Sequence, residues 1–157
     1  MKIGIGYDVH KLVENRDLIL GGIKFDYKLG LLGHSDADVL THAIMDAILG
    51  ALNLSDIGCI FPDTDDKYKD IYSIDLLDIV VEKMEDKGYK IGNLDTVIIC
   101  EMPKIAPKRE EIQKLLARHL KTDIENVSIK ASTSEKLGFT GEGLGIEARA
   151  VVLLEKI

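Results

Sequence analysis

Asp36-Ala37-Asp38-Val39-Leu40-Thr41-His42-Ala43-Ile44-Met45-Asp46-Ala47-Ile48-Leu49-Gly50-Ala51-Leu52-Asn53 reads as one amphipathic helix. Val39, Leu40, Ala43, Ile44, Ala47, Ile48 and Ala51 recur at helical spacing and make an apolar face, and Asp36 or Asp38 is placed to cap the first turn. A helix with one apolar face needs a sheet or another helix to cover it. Upstream, Lys2 to Tyr7 reads as a strand, and Asp17 to Gly22 as a second one after a short turn. Gly30 to Ser35 is a glycine-punctuated loop. Downstream, Asp56 to Lys69 is a loop dense in aspartate. Ser73 begins a second helix, with Leu76, Leu77, Val80 and Met84 inward and a stop at Gly88. Leu94 to Cys100 reads as a buried strand, and Pro107 opens a third helix that ends near Leu120. Asn126 to Ala131 is a strand, Ser132 to Gly145 a polar, glycine-rich loop, and Ile146 to Leu154 a closing strand. With no repeat, linker or low-complexity tract, the reading is a single α/β (α+β) domain over residues 1–157. It has one mixed sheet with helices on one face. The other face then needs a cover, which another subunit would supply.

The chain has 157 residues and 46% hydrophobic content, enough for a core without disulfides. Its cysteines, Cys59 and Cys100, form no CxxC, which fits a reducing cytosol and argues against thiolate-bound zinc. The net charge of −7 argues against nucleic acid as a partner. No stretch approaches a membrane span, and Asp8 and His10 interrupt any signal-like apolar run at the start. The expectation is a complete, cytoplasmic chain with no membrane partner.

The chemistry-bearing residues cluster early. Asp8-Val9-His10 ends the first alternating run, and residues two apart on a strand share a face. His42 would complete an Asp/His/His set, leaving a tetrahedral position open as in a catalytic zinc site. A D-x-H pair also arises by chance in strands. Asp38, His42 and Asp46 form a helical stripe at i, i+4, i+8. It is either a solvated face with one histidine or part of a metal site. In a metal site, Asp46 is placed to accept the other imidazole N–H of His42, or Asp38 acts elsewhere in the site. His34-Ser35 precedes the helix, as anion-binding donors or as plain capping by Ser35 or Asp36 with His34 exposed. Ser132-Thr133-Ser134-Glu135-Lys136 has what a phosphate cradle needs, and Glu135 could hold Mg²⁺. The same residues would serve a surface loop capped at Ser134, and this is not a Walker motif. For Asp56-Ile57-Gly58 and Asp63-Thr64-Asp65-Asp66, spacing favours turns over hydroxyl binding. Met102-Pro103-Lys104 is uninformative alone, and His119 beside Lys121 is structural.

Read in order, the chain resembles the 2-C-methyl-D-erythritol 2,4-cyclodiphosphate synthase family of the non-mevalonate isoprenoid pathway. The matching text is Gly4-Ile5-Gly6-Tyr7-Asp8-Val9-His10, Leu20-Gly21-Gly22 and Gly33-His34-Ser35-Asp36-Ala37-Asp38-Val39-Leu40-Thr41-His42-Ala43. It continues with Asp56-Ile57-Gly58, Phe61-Pro62-Asp63-Thr64-Asp65, Pro103-Lys104, Lys130-Ala131 and Glu135-Lys136-Leu137-Gly138-Phe139-Thr140-Gly141. The resemblance implies a homotrimer with active sites between subunits and one zinc per subunit on Asp8, His10 and His42. It implies Mg²⁺ or Mn²⁺ on the substrate diphosphate, helped by Glu135. The substrate would be 4-diphosphocytidyl-2-C-methyl-D-erythritol 2-phosphate, cyclised with release of CMP. His34 and Thr133 would stabilise developing charge. Asp8, His10, His34, Ser35, Asp56, Ile57 and Gly58 would contact substrate, with Asp56 and the Gly58 backbone on the erythritol hydroxyls. Phe61, Pro62, Asp63, Thr64 and Asp65 would belong to a loop closing over it. Cys100, Glu101, Met102, Pro103, Lys104, Ile105 and Ala106 would frame the cytosine. Ser132, Thr133, Ser134 and Glu135 would lie on the phosphate and ribose side, with Phe139 nearby.

The chain departs from the family where many relatives carry Arg-x-Glu after Phe-Thr-Gly. Glu142 and Leu144 stand there, so Glu142 is left out of the site and no isoprenoid diphosphate is expected in a central cavity. Glu101-Met102 also replaces commoner small or polar residues, which recognition through the backbone would tolerate. Two rival readings use the same ligands. One is a zinc phosphohydrolase with water as nucleophile. The other is a trimeric metal-stabilised scaffold or nucleotide-binding module without turnover.

Overall fold

The computed structural model describes residues 1–157. Its core is a mixed sheet of five strands: β1 (Lys2–Val13), β4 (Gly30–Leu31), β5 (Tyr89–Ile99), β6 (Val127–Ser132) and β7 (Gly145–Lys156). Their order is β4-β1-β7-β5-β6, antiparallel throughout except for the parallel β5–β6 pair. The principal helices α1 (Val39–Ala51), α3 (Ser73–Asp86) and α4 (Arg109–His119) share one side of it. The expected single mixed sheet with helices on one face is present. A small second sheet, the hairpin β2 (Leu18–Leu20) and β3 (Ile23–Phe25), adds to it.

The helix 36–53 forms as its pattern predicts, with Asp38 as the cap, its side chain accepting from the Thr41 N–H. The helix is buried almost all round, because the sheet covers one side and α3 another. Leu40, Ile44 and Ile48 are fully buried. Each such side chain contributes roughly 1.5–3 kcal/mol over an exposed one.

Several boundaries differ from expectation. The first strand runs on to Val13, carrying Asp8 and His10 with it, because β7 pairs with it from Lys2 opposite Leu154 to Lys11 opposite Gly145. Pairing with β7 likewise extends the 94–100 strand back to Tyr89. The expected strand 17–22 is half of a hairpin. Gly21 and Gly22, at φ +57 and +78, make its two-residue turn. The loop 30–35 contributes the edge strand β4. The aspartate-rich stretch holds α2 (Ile57–Ile60) and a 3₁₀ turn at Asp66–Tyr68. Pro107 sits in a 3₁₀ turn just ahead of α4, and a one-turn helix α5 (Gly138–Gly141) interrupts the 132–145 loop.

Along β1 the alternation runs opposite to a simple core strand. Gly4, Gly6, Asp8 and His10 share the face toward α1, while Ile3 and Ile5 point away and are each 73% exposed. The glycines are there for space. A methyl group on Gly4 would overlap the Ala47 carbonyl, and one on Gly6 the Ala43 carbonyl. Helix α1 therefore rests backbone to backbone on β1, which sets His42 beside Asp8 and His10.

Candidate functional site

Asp8 and His10 project from β1 and meet His42 from α1. Asp8 Oδ2 lies 2.9 Å from both His10 Nε2 and His42 Nδ1, and the two nitrogens are 3.3 Å apart. Ligand atoms about 2.0–2.1 Å from a tetrahedral zinc are separated by roughly 3.3 Å, so the spacing suits one ion.

The hydrogen bonds behind the imidazoles test that fit. His10 Nδ1 is 2.8 Å from the Leu32 carbonyl, which can only accept, so Nδ1 carries the hydrogen and Nε2 keeps its lone pair. His42 Nε2 is 2.9 Å from Ser73 Oγ, whose own hydrogen goes to Asp36 Oδ1. The Ser73 oxygen therefore accepts from His42 Nε2–H, and Nδ1 keeps its lone pair. These tautomers follow from the hydrogen-bond partners. Two lone pairs and a carboxylate then converge on one point, and a cation or protons must occupy it. Without an ion the contacts within the triad shift the pKa values of Asp8 and His10. Burial acts to raise the Asp8 pKa, but the adjoining His10 and His42 outweigh it and hold it down to about 2. Burial acts to lower the His10 pKa, and Asp8 overrides it and raises it.

The triad lines a cavity of about 310 Å³. Of the other expected site residues, His34, Ser35, Ile57, Gly58, Phe61 and Asp63 line it too. Gly33, Tyr68 and Leu76 join them unforeseen; Tyr68 stands edge-on to Phe61 at 5.4 Å. Pro62, Thr64, Asp56 and Asp65 do not line it. Asp56 Oδ1 accepts from the Cys59 N–H and caps α2, while Asp65 Oδ1 accepts from the Lys67 N–H. These two aspartates thus serve local capping in this structure, as the spacing favoured. His34 is not exposed as the capping alternative required: its Nε2 donates to the Asp65 carbonyl at 3.0 Å, tying it to the 61–66 segment.

Two assignments on the helical stripe change. Asp46 does not orient His42; its Oδ1 accepts from the Ile57 N–H at 2.8 Å. The stripe rotates by about 40° every four residues at 3.6 residues per turn, which turns Asp46 toward α2. Asp38 is fully buried, accepting from Gly21 N–H, Gly22 N–H and both donors of Thr41. Burial, then the nearby Asp36 charge, pushes its carboxyl up against these donors. It pins the β2–β3 turn to the start of α1.

A second cavity, about 180 Å³, is lined by Cys100, Glu101, Pro103, Lys104, Ile105, Ala106, Ser132 and Thr133, with Ala131 and Arg109 as additions. Met102 is 47% exposed and, like Ser134, Glu135 and Phe139, stands outside the lining. Burial, then the charge of Glu101, pushes the Cys100 thiol up to about 11, so it stays protonated. Glu101 Oε1 accepts from the Lys136 N–H at 3.0 Å, joining the 100–106 and 132–136 loops. Glu135 and Lys136 sit at φ +54 and +62. Ser134 does not cap α5; its hydroxyl pairs with Thr140 Oγ1. Its carbonyl accepts from the Leu137 N–H. His119 pairs with Asp78 at 2.7 Å, linking α4 to α3, a structural role as expected. The two cavities share no lining residue within one chain. No helix is long and apolar enough to cross a membrane.

Residues 1–155 match the YgbB family. A 2-C-methyl-D-erythritol 2,4-cyclodiphosphate synthase of Clostridium acetobutylicum is 59% identical over 98% of this chain and 99% of its own length. One from Desulfitobacterium hafniense is 55% identical over 100% and 99%. Among solved structures, the bifunctional IspDF from Campylobacter jejuni superposes with a TM-score of 0.95 at 39% identity. That match covers 99% of this chain but 42% of that longer one. The CDP complex of IspF from Plasmodium falciparum has a TM-score of 0.87, also at 39% identity, over 99% and 96% of the two chains.

Proposed function

The chain belongs to the YgbB family, and on that premise we propose that it makes 2-C-methyl-D-erythritol 2,4-cyclodiphosphate in isoprenoid precursor biosynthesis. The substrate would be 4-diphosphocytidyl-2-C-methyl-D-erythritol 2-phosphate, and CMP the second product. The observation that carries the reading is the convergence of Asp8, His10 and His42 lone pairs in the lining of a cavity. The relatives' names, and the CDP bound to IspF from Plasmodium falciparum, supply the substrate class.

In the proposed step an oxygen of the 2-phosphate forms a bond to the β-phosphorus. The bond from that phosphorus to the bridging oxygen breaks, and the oxygen leaves on CMP, which makes the enzyme a phosphorus–oxygen lyase. The nucleophile is already anionic, so no strong base is required. The difficulty is joining two anions inside a chain of net charge −7. A zinc ion on Asp8, His10 and His42 would supply neutralising charge and fix phosphate orientation. The exposed Glu135 carboxylate suits Mg²⁺ or Mn²⁺, which is held mainly by substrate phosphates and a carboxylate or two. His34 would donate to the developing charge, exchanging the Asp65 carbonyl for a phosphate oxygen, so loop position and catalysis are linked. Thr133 would donate from the other side. Ser35, Asp56, Ile57 and Gly58 would seat the erythritol, and Phe61 to Asp65 would close over it. Cys100 to Ala106 would frame the cytosine through backbone groups, with Ser132 to Glu135 at the ribose and phosphates and Phe139 beside them.

We place the active site between copies of a homotrimer. Two observations support this: the cavities share no residue within one chain, and the second face of the sheet presents Ile3, Ile5, Val9 and Val151 to solvent. Unpaired Cys59 and Cys100 fit a reducing, cytoplasmic location. The test is phosphorus NMR on the named substrate with purified protein, Zn²⁺ and Mg²⁺. A cyclic diphosphate with equimolar CMP is the expected result. Inorganic phosphate would instead make the protein a hydrolase, and unchanged substrate on metal-loaded protein would make it a binding module.

A further inference from the structure

We infer that Ser73, backed by Asp36, is the positioning residue that fixes the ring and tautomer of His42. This rests on the metal-site reading above. Ser73 is fully buried at the first position of α3 and lines neither cavity, so it acts on the site through its neighbours, and its 2.9 Å contact to His42 is much shorter than its 3.5 Å contact to Ser35 Oγ.

Three bonds, and a longer contact to Ser35 Oγ at 3.5 Å, hold it. Asp36 Oδ2 accepts from the Ser73 backbone N–H at 2.9 Å, and Asp36 Oδ1 accepts from the Ser73 hydroxyl. With its hydrogen committed to a carboxylate, the Ser73 oxygen is left as an acceptor for His42 Nε2–H at 2.9 Å. One carboxylate thus grips both donors of Ser73 and sets its side-chain rotamer, and that rotamer aims the imidazole. A metal-bound histidine usually hands its second N–H to a carboxylate or carbonyl, which sharpens its orientation and basicity. Here a hydroxyl stands between ring and carboxylate and passes the polarisation along. Competing orienters are weaker or occupied. Ser35 Oγ is farther from His42 Nε2, at 3.2 Å, and also accepts the Ala37 N–H. Asp46 is committed to Ile57.

The experiment compares zinc affinity, by competition with a chromophoric chelator, in the wild-type protein, Ser73→Ala and Asp36→Asn. Melting in excess EDTA is measured alongside. Ser73→Ala should weaken zinc binding by about 10–100-fold, and Asp36→Asn by less, since the asparagine carbonyl still accepts from Ser73. In zinc-loaded wild-type protein the His42 Nε2–H proton should give a slowly exchanging NMR resonance, lost in Ser73→Ala. A packing role alone would lower melting in EDTA and leave both readouts unmoved. Ser73→Ala with wild-type zinc affinity would overturn the inference while the metal site stands. Wild-type protein that binds no zinc would overturn the metal site and the inference together.

Discussion

Replacing Asp38 with asparagine keeps the shape of the side chain and removes one acceptor. In the wild type, Oδ1 accepts from Gly21 N–H and Thr41 N–H at 2.9 and 3.1 Å. Oδ2 accepts from Gly22 N–H and Thr41 Oγ1–H, both at 2.7 Å. An asparagine oxygen retains one pair, and its NH₂ meets the other. The threonine hydroxyl can turn to accept, but the Gly22 N–H cannot. One backbone donor is left facing another at a fully buried position. A buried unsatisfied donor costs about 1–3 kcal/mol, and a lost charge-assisted bond about as much again, so Asp38→Asn should cost roughly 2–6 kcal/mol. Asp38→Ala gives up the helix cap and strands every donor, and should cost about 4–6 kcal/mol. Urea unfolding at fixed protein concentration, in EDTA, measures both, with the slope unchanged if the native state is intact. A cost below about 1 kcal/mol for Asp38→Asn would refute the reasoning, because the buried donors would then have found other partners.

His42→Ala should lose bound zinc and turnover while remaining folded; metal analysis and circular dichroism check this, and a zinc-replete, active variant would remove His42 from the site. Metal-free stability should depend on pH through Asp8 and His10. The depressed Asp8 carboxyl contributes stability present above pH 3.8 and lost as pH falls through about 2. That depression corresponds to about 2 kcal/mol. The raised His10 contributes stability present below its ordinary value of 6.5 and lost as pH rises through its folded value. Both flanks are one interaction seen from two partners, so Asp8→Asn should flatten both in urea titrations across pH. Ile5→Glu, on the uncovered sheet face, should convert the proposed homotrimer to monomers in sedimentation velocity and abolish turnover; an unchanged sedimentation coefficient would remove that face from the proposed interface.

The convergence of Asp8, His10 and His42 was legible because each half rests on local periodicity. Asp8 and His10 share a strand face, and His42 lies on a strongly patterned helix. Their orienting partner was not legible, since Ser73 reaches His42 across 31 residues of sequence and helical spacing pointed to Asp46 instead. The β2–β3 hairpin had a readable signal in Gly21-Gly22, which was absorbed into a single strand. The full lengths of β1 and β5 were hidden because β7, their common partner, lies at the far end of the chain. For the aspartates at 56 and 65 spacing favours turns, and their caps are local; only the fold shows which of their neighbours face the cavity.

The contact of α1 with Gly4 and Gly6 works as a mechanical datum. Most helix–sheet distances are set by the side chains between the layers, so each core substitution moves a helix slightly. Here two main chains bear directly on each other, and the gauge between the strand bearing Asp8 and His10 and the helix bearing His42 has almost no adjustable part. The bulk of Leu40, Ile44 or Ile48 can drift without retuning ligand spacing. Positions 4 and 6 have no such latitude, although neither glycine lines either cavity.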